Sequence, residues 1–162
     1  VIGAGMGGLA VAATLRKAGM EAAMHAAGLA FDPALVLPGV IGEPGIDERF
    51  VAYEAALDLL SRDSRPTAII CGHDQIAMFV LQAALSLGLK IPDDLSFVGF
   101  DDLKLFSETA RPQLTTVALP YFEIGQKAMR LLADVLKNGQ SAREAILVRC
   151  PLVERGSCRQ IR

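Results

Sequence analysis

Two adjacent carboxylates, Asp101 and Asp102, follow directly on the run Leu95-Ser96-Phe97-Val98-Gly99-Phe100. That run reads as a short buried strand, so both acids fall just past its carboxyl end. In open parallel α/β sheets this edge is where ligands bind. The plainer alternative is a strand followed by a polar turn, because the rule belongs to the fold and not to any one turn. Gly99 sits inside the strand pattern, where a missing side chain marks a bulge or a close backbone approach. A second chemical pattern stands at the start of the chain. Gly3, Gly5 and Gly8 occupy the G-x-G-x-x-G positions between an apolar run and an Ala-rich stretch. Such glycines permit a tight turn, let a pyrophosphate approach the backbone, and let helix and strand pack closely, as in FAD and NAD sites. Nucleophilic catalysis has no comparable support. There are only 2 histidines, His25 lies in the Ala-rich stretch, and no Ser or Cys has an adjacent base.

The elements that must position these residues alternate along the chain. Val1 to Ala4 reads as a strand, and Leu9 to Ala27 as a helix closed by Gly28. Asp32-Pro33 makes a turn before a short strand at Leu35 to Leu37, and Val40 to Asp47 is a loop. From Glu48, the positions Phe50, Tyr53, Ala56, Leu57 and Leu60 recur at helical spacing. The strand Thr67 to Cys71 follows, and then Asp74 as N-cap of a helix from Gln75 to Leu87, ended by Gly88. After the central strand, Leu103 to Gln113 is irregular. Leu114 to Val117 is a short strand, Tyr121 to Lys137 an amphipathic helix, and Ala145 to Glu154 a long last strand interrupted by Pro151. Proline suits a sheet edge or crossing point better than a sheet centre. Strands alternating with helices predict parallel βαβ units, hence a three-layer α/β fold with a mostly parallel sheet and helices on both faces.

Composition narrows the function. With 162 residues, 52% of them hydrophobic and 21% charged, the chain is an apolar globular domain. A formal net charge of -2 leaves no basic footprint for nucleic acid, and the densest positive group (Arg149, Arg155, Arg159, Arg162) reads as a solvated tail. The 3 cysteines form no Cys-x-x-Cys pair, which argues against a disulfide framework or a metal site and for a reducing, cytoplasmic setting. The Gly-rich start lacks a basic n-region, and no run reaches the roughly 18 apolar residues a membrane span needs. The chain opens on Val1 inside an apparent strand, as a piece of a longer protein would.

Two resemblances bear on these readings. Val1 to Ala10, with Leu15-Arg16-Lys17-Ala18-Gly19 after it, resembles the FAD-binding start of flavin-dependent monooxygenases. That family continues into a second strand ending in a ribose-binding acid. Here Met20 to Ala27 is helical in pattern, with Glu21 inside it. From about Arg16 onward another set of motifs runs in order: Phe31-Asp32-Pro33-Ala34-Leu35-Val36, Arg65-Pro66-Thr67-Ala68-Ile69, Ile91 through Asp102, Leu114-Thr115-Thr116-Val117, Glu123-Ile124-Gly125 and Leu152-Val153-Glu154-Arg155. These resemble the ligand-sensing domain of the lactose/purine-repressor (LacI/GalR) family. The implied fold is that of periplasmic sugar-binding proteins, two α/β lobes closing on a small ligand. The implied function is reporting occupancy by a sugar or related metabolite to a DNA-binding helix-turn-helix, with no cofactor.

The same resemblance implies ligand contacts. Arg16 matches the arginine of an R-x-x-G step ending at Gly19 and points into the cleft, offering a planar fork of donors. Asp101 matches the first acid of the family's G-[YF]-D-D turn and would accept hydrogen bonds from ligand hydroxyls. His73 stands where Asn usually precedes Asp, Leu119 where a polar residue is common, and Tyr121 near the cleft or in the helix core. Relative to the family, the chain has no helix-turn-helix and only the C-terminal lobe: residues 1–102 and 140–158, with 103–139 crossing toward an absent N-terminal lobe. Three readings follow: a non-enzymatic effector-sensing module, a flavin or nicotinamide fragment of an oxidoreductase, or a chimera of the two. For the sensing module, the partners expected are a small-molecule effector and a second copy, with no membrane and no direct nucleic-acid contact. Self-association is expected because Ile124, Leu131, Leu132 and Val135 would otherwise face water.

Overall fold

The computed structural model describes residues 19–37, 48–139 and 146–160. The expected strand at 1–4, the glycines Gly3, Gly5 and Gly8, Arg16 and the loop at 40–47 lie outside them. Residues 19–26 are helical, and the run ends at Gly28, whose φ of +71° needs no side chain. Of the strand expected at Leu35 to Leu37, Leu35 ends a 3-10 turn, Pro33–Leu35, and Leu37 keeps a single β-bridge. Asp32 explains the difference: its carboxylate accepts the Ala34 N–H at 2.9 Å, and Pro33 pre-sets the first helical φ.

Helix α1 (Glu48–Leu60) and helix α2 (Asp74–Ser86) flank strand β1 (Ala68–Ile70). Strand β2 (Ser96–Asp101), the short helix α3 (Lys104–Ser107), strand β3 (Thr115–Ala118), helix α4 (Tyr121–Asn138) and strand β4 (Leu152–Val153) complete the order. The sheet runs β1-β2-β3-β4 in space, with β1, β2 and β3 parallel and β4 antiparallel to β3. This is the mostly parallel α/β architecture that the alternation of elements predicts. Ile69 pairs with Phe97, Val98 with Thr115, Asp101 with Ala118, and Thr116 with Val153.

The core forms where α2 packs between α1 and the sheet. Ala77, Ala83 and Ala84 on α2 and Ala52 and Ala56 on α1 are buried, and such small residues let two helices approach closely. Leu59, Val80, Ile69, Leu95, Phe97 and Leu114 fill the remaining space and are fully buried. Along β2, Phe97 and Gly99 turn toward this core, while Val98 and Phe100 on the opposite face are half-buried.

The last strand departs most from expectation. Only Leu152 and Val153 pair, and residues 146–150 are not in strand. Pro151 has no N–H to give, and its carbonyl closes the ladder by accepting from Ala118 N–H at 2.8 Å. The chain then turns back toward the backbone of β2 and β3. Ser157 sits between β2 and β3: its hydroxyl donates to the Phe97 carbonyl at 2.7 Å and accepts the Thr115 N–H at 2.8 Å. Its carbonyl accepts the Phe97 N–H at 2.9 Å. Helix α4 differs from α1 and α2, since every described side chain along it is exposed or half-buried. Ile124 and Leu132 are exposed, as are Phe122, Met129 and Leu136, whereas Leu131 and Val135 are half-buried.

Candidate functional site

The parallel register brings three strand ends to one edge. Ile70 pairs with Val98, and the Cys71 N–H donates to the Val98 carbonyl at 2.8 Å, so His73 leaves β1 at the level where Asp101 ends β2. Asp101 pairs with Ala118, which carries Leu119, Pro120 and Tyr121 to the same edge. Leu119 N–H reaches the Asp101 carbonyl at 3.3 Å. His73, Asp101 and Tyr121 therefore belong to one carboxyl edge, built from the ends of β1, β2 and β3.

Asp101 and Tyr121 meet directly. Burial raises the Tyr121 phenol above its ordinary value of 10.0, and the charge of the Asp101 carboxylate together with a hydrogen bond to it pushes the same way. The ring itself is exposed, at 54%, so Tyr121 belongs to the edge and not to a helix core. His73 is the N-cap of α2, held extended at φ -160°, and its side chain makes no capping bond. The imidazole is half-buried.

Asp101 is the last residue of β2, and both acids have positive φ, +111° at Asp101 and +54° at Asp102. Asp tolerates the left-handed region better than most residues, yet φ near 111° is strained for any side chain. The two acids divide the work. Asp101 faces Tyr121, while Asp102 turns to two cations, Arg155 at 2.8 Å and Lys104 at 2.8 Å, and accepts the Ser107 hydroxyl at 2.9 Å. Burial on its own would raise the Asp102 carboxyl; the bonds from Lys104, Arg155 and Ser107 outweigh it and hold the group below the usual aspartate value.

Arg155 corrects the solvated-tail reading. Its side chain is only 11% exposed, its second nitrogen donates to the Leu114 carbonyl at 2.8 Å, and its backbone N–H donates to the Thr115 hydroxyl at 2.9 Å. It fastens the two-acid turn to β3 and the last strand. Asp74 is a second correction. It is the first residue of α2 and not its cap, and it is completely buried. One carboxylate oxygen accepts the Leu103 N–H at 2.7 Å and the other accepts the Thr116 hydroxyl at 2.6 Å, while the Phe100 N–H also donates to the group. Burial raises the Asp74 carboxyl, and these donors oppose that rise. Gly99 is the close approach expected of it, because a Cβ there would stand 2.1 Å from Asp74 Oδ1.

No buried side-chain nitrogen or oxygen lacks a partner among the described residues, and no cluster there could hold a metal ion. No described helix is long and apolar enough to cross a membrane. The edge thus offers a carboxylate that accepts hydrogen bonds, a phenol and an imidazole.

A family profile described as a periplasmic binding protein-like domain matches residues 5–158. That match begins ahead of Arg16 and takes in Gly5 and Gly8, so the Gly-rich start falls within the same domain and the dinucleotide alternative is left without support. The HTH-type transcriptional repressor CytR of Escherichia coli K12 is 36% identical over 147 residues, covering 90% of this chain and 41% of that protein. Catabolite control protein A of Priestia megaterium is 48% identical over 85 residues, covering 52% of this chain and 25% of its own length. Among solved structures, a LacI transcriptional regulator from Bacillus cereus subsp. cytotoxis superposes with a TM-score of 0.79 at 30% identity, over 89% of this chain and 49% of that one. The complex of the transcriptional regulator CelR with cellobiose superposes at 0.75 with 27% identity, over 86% of this chain and 40% of that one. The chain spans about half, or less, of the length of the relatives it matches. CytR is by name a transcriptional repressor.

Proposed function

We propose, from the premise that this chain belongs to the LacI/GalR family of periplasmic-binding-protein-like sensing domains, that it holds a small hydroxyl-rich effector at the carboxyl edge of its sheet. The observation that carries the reading is the convergence of Asp101 and Tyr121, bonded to each other, with His73 at the same edge. An ionised carboxylate only accepts hydrogen bonds, so Asp101 selects a ligand that donates them. Tyr121 offers an aromatic face beside that acceptor, and His73 can donate or accept. Leu119 leaves this part of the edge apolar. Arg16, outside the described residues, would add a charged fork of donors. A sugar or a related metabolite meets these demands, and the cellobiose held by CelR supports that class.

The domain works by binding and carries out no reaction. One lobe offers one wall, and enclosing most of a small ligand takes two. Residues 103–139 lead toward the second wall in this reading, and the exposed apolar side chains of α4 are covered by another lobe or by a second copy. Occupancy is read out by a DNA-binding element of the parent regulator in the cytoplasm. This chain, with net charge -2, makes no nucleic-acid contact itself.

Thermal unfolding of the 162-residue chain against a panel of mono- and disaccharides, nucleosides and amino acids tests the reading. A ligand at 100 times its Kd stabilises the folded chain by about 2.7 kcal/mol, a rise in Tm of roughly 5 to 10 °C for a domain of this size. Asp101→Ala should abolish the rise. Hydroxyl-rich compounds without effect, or an Asp101→Ala variant that responds as the parent does, would overturn the proposal.

A further inference from the structure

The two acids of the edge occupy backbone conformations that need external support, with φ of +111° and +54°. That support converges on one buried carboxylate. The N–H before the pair, from Phe100, donates to Asp74, and so does the N–H after it, from Leu103, at 2.7 Å. The Asp102 N–H approaches the Thr116 hydroxyl at 3.4 Å, and that hydroxyl donates a hydrogen bond to Asp74 at 2.6 Å. Asp74 thereby gathers backbone donors from both flanks of Asp101-Asp102. It also follows His73 directly and starts α2, so the imidazole and the two-acid turn share one fixed point. The absence of a Cβ at Gly99 is what lets this carboxylate lie against β2.

We propose that Asp74 is the positioning residue of the ligand edge, holding the strained Asp101 so that its carboxylate stays on Tyr121 and open to ligand. The inference rests on the edge being a binding site, but its geometry can be tested without any ligand. Asp74 touches the backbone around Asp101 and the Thr116 hydroxyl, and it acts on ligand only through Asp101 and His73.

The readout is the ionisation of Tyr121, which burial raises most, the Asp101 charge and hydrogen bond raise further, and the Asp74 charge raises last. Of the 2 tyrosines, Tyr53 is removed as Tyr53→Phe, and the tyrosinate absorbance of Tyr121 is followed with pH in the full chain. Asp101→Asn should lower the Tyr121 midpoint. Asp74→Asn should lower it by most of that shift and add little in the double variant, since a residue acting through another is not additive with it. If Asp74→Asn lowers the midpoint equally with and without the Asp101 carboxylate, its charge acts through space and the proposal fails. An unchanged midpoint overturns it as well. Where circular dichroism shows Asp74→Asn unfolded, Thr116→Val and Thr116→Ser decide. Valine removes the relay hydroxyl and should lower the midpoint, while serine should restore it; identical behaviour of the two would refute the positioning role. Failure of every sugar to bind would leave these outcomes untouched, so the two proposals stand or fall separately.

Discussion

Placing one methyl group at Gly99 probes the tightest contact in the domain. A Cβ there would lie 2.1 Å from Asp74 Oδ1, 3.2 Å from Asp74 Cγ and 2.8 Å from Leu114 Cδ2. Neither neighbour yields easily. Asp74 is fully buried and held by Leu103, Phe100 and Thr116, and Leu114 is fully buried in the core. Overpacking a core site costs about 1 to 3 kcal/mol. Displacing the carboxylate also breaks at least one charge-assisted bond, about 1.5 to 3 kcal/mol. Gly99→Ala should therefore destabilise the chain by roughly 3 to 5 kcal/mol, a large part of the 5 to 15 kcal/mol typical of a domain. The assay is urea unfolding by circular dichroism, in which the midpoint should fall while the slope stays unchanged. Gly99→Ala within about 0.5 kcal/mol of the parent, the range of an innocuous surface change, would show that the contact is not tight.

Two further outcomes follow from the same geometry. Arg155→Met leaves Asp102 largely buried without its arginine and should cost about 3 kcal/mol, as breaking a buried pair does. Asp102 is held below its ordinary value of 3.8, so its contribution to stability is complete above that pH and vanishes as pH falls through the lower folded-state value. Urea midpoints measured across the acid range should accordingly fall less steeply in Arg155→Met than in the parent, and a steeper fall would contradict the pairing. Burial pushes the Cys71 thiol up to about 12, whereas Cys150 and Cys158 are partly exposed. A thiol reagent at pH near 8 should modify Cys150 and Cys158 in the folded chain and reach Cys71 only after unfolding; equal rates for all would count against the buried assignment.

The carboxyl edge was legible because it depends on local pattern: an apolar run, a glycine within it and two acids behind it. Gly99 announced a close approach, but the group that approaches, the Asp74 carboxylate, comes from the start of α2 and no local pattern names it. Asp74 reads as an N-cap because Asp before an apolar helical run fits that role. In the fold, Phe100, Leu103 and Thr116 compete for its carboxylate, and the helix begins one residue earlier behind an extended His73. Arg155 reads as solvated for a related reason, since it belongs to a group of four arginines and its partners lie 41 and 53 residues away. The β-rich composition before Glu154 predicts a long strand, but β3 offers only four residues and Pro151 supplies no donor, so pairing stops at Leu152 and Val153. Buried threonines and serines such as Thr116 and Ser157 leave no mark in sequence beyond their type, because only the assembled sheet shows what their hydroxyls must satisfy.

The wedge formed by Arg155 and Ser157 also sets an order of events during synthesis. The Asp102 carboxylate waits 53 residues for its arginine, and the Phe97 carbonyl 60 residues for the Ser157 hydroxyl. Ribosomes add about 5 to 20 residues per second, so these partners follow by roughly 3 to 12 seconds. The contacts of α1, β1, α2 and β2 are nearer in sequence and can assemble within that interval. Loops this long close slowly, which places the fastening of the two-acid turn among the late events of folding. A nascent chain halted before Arg155 would display paired β2 and β3 without the Arg155 and Ser157 bonds that brace them, and the two-acid turn is fastened only once those residues have been made.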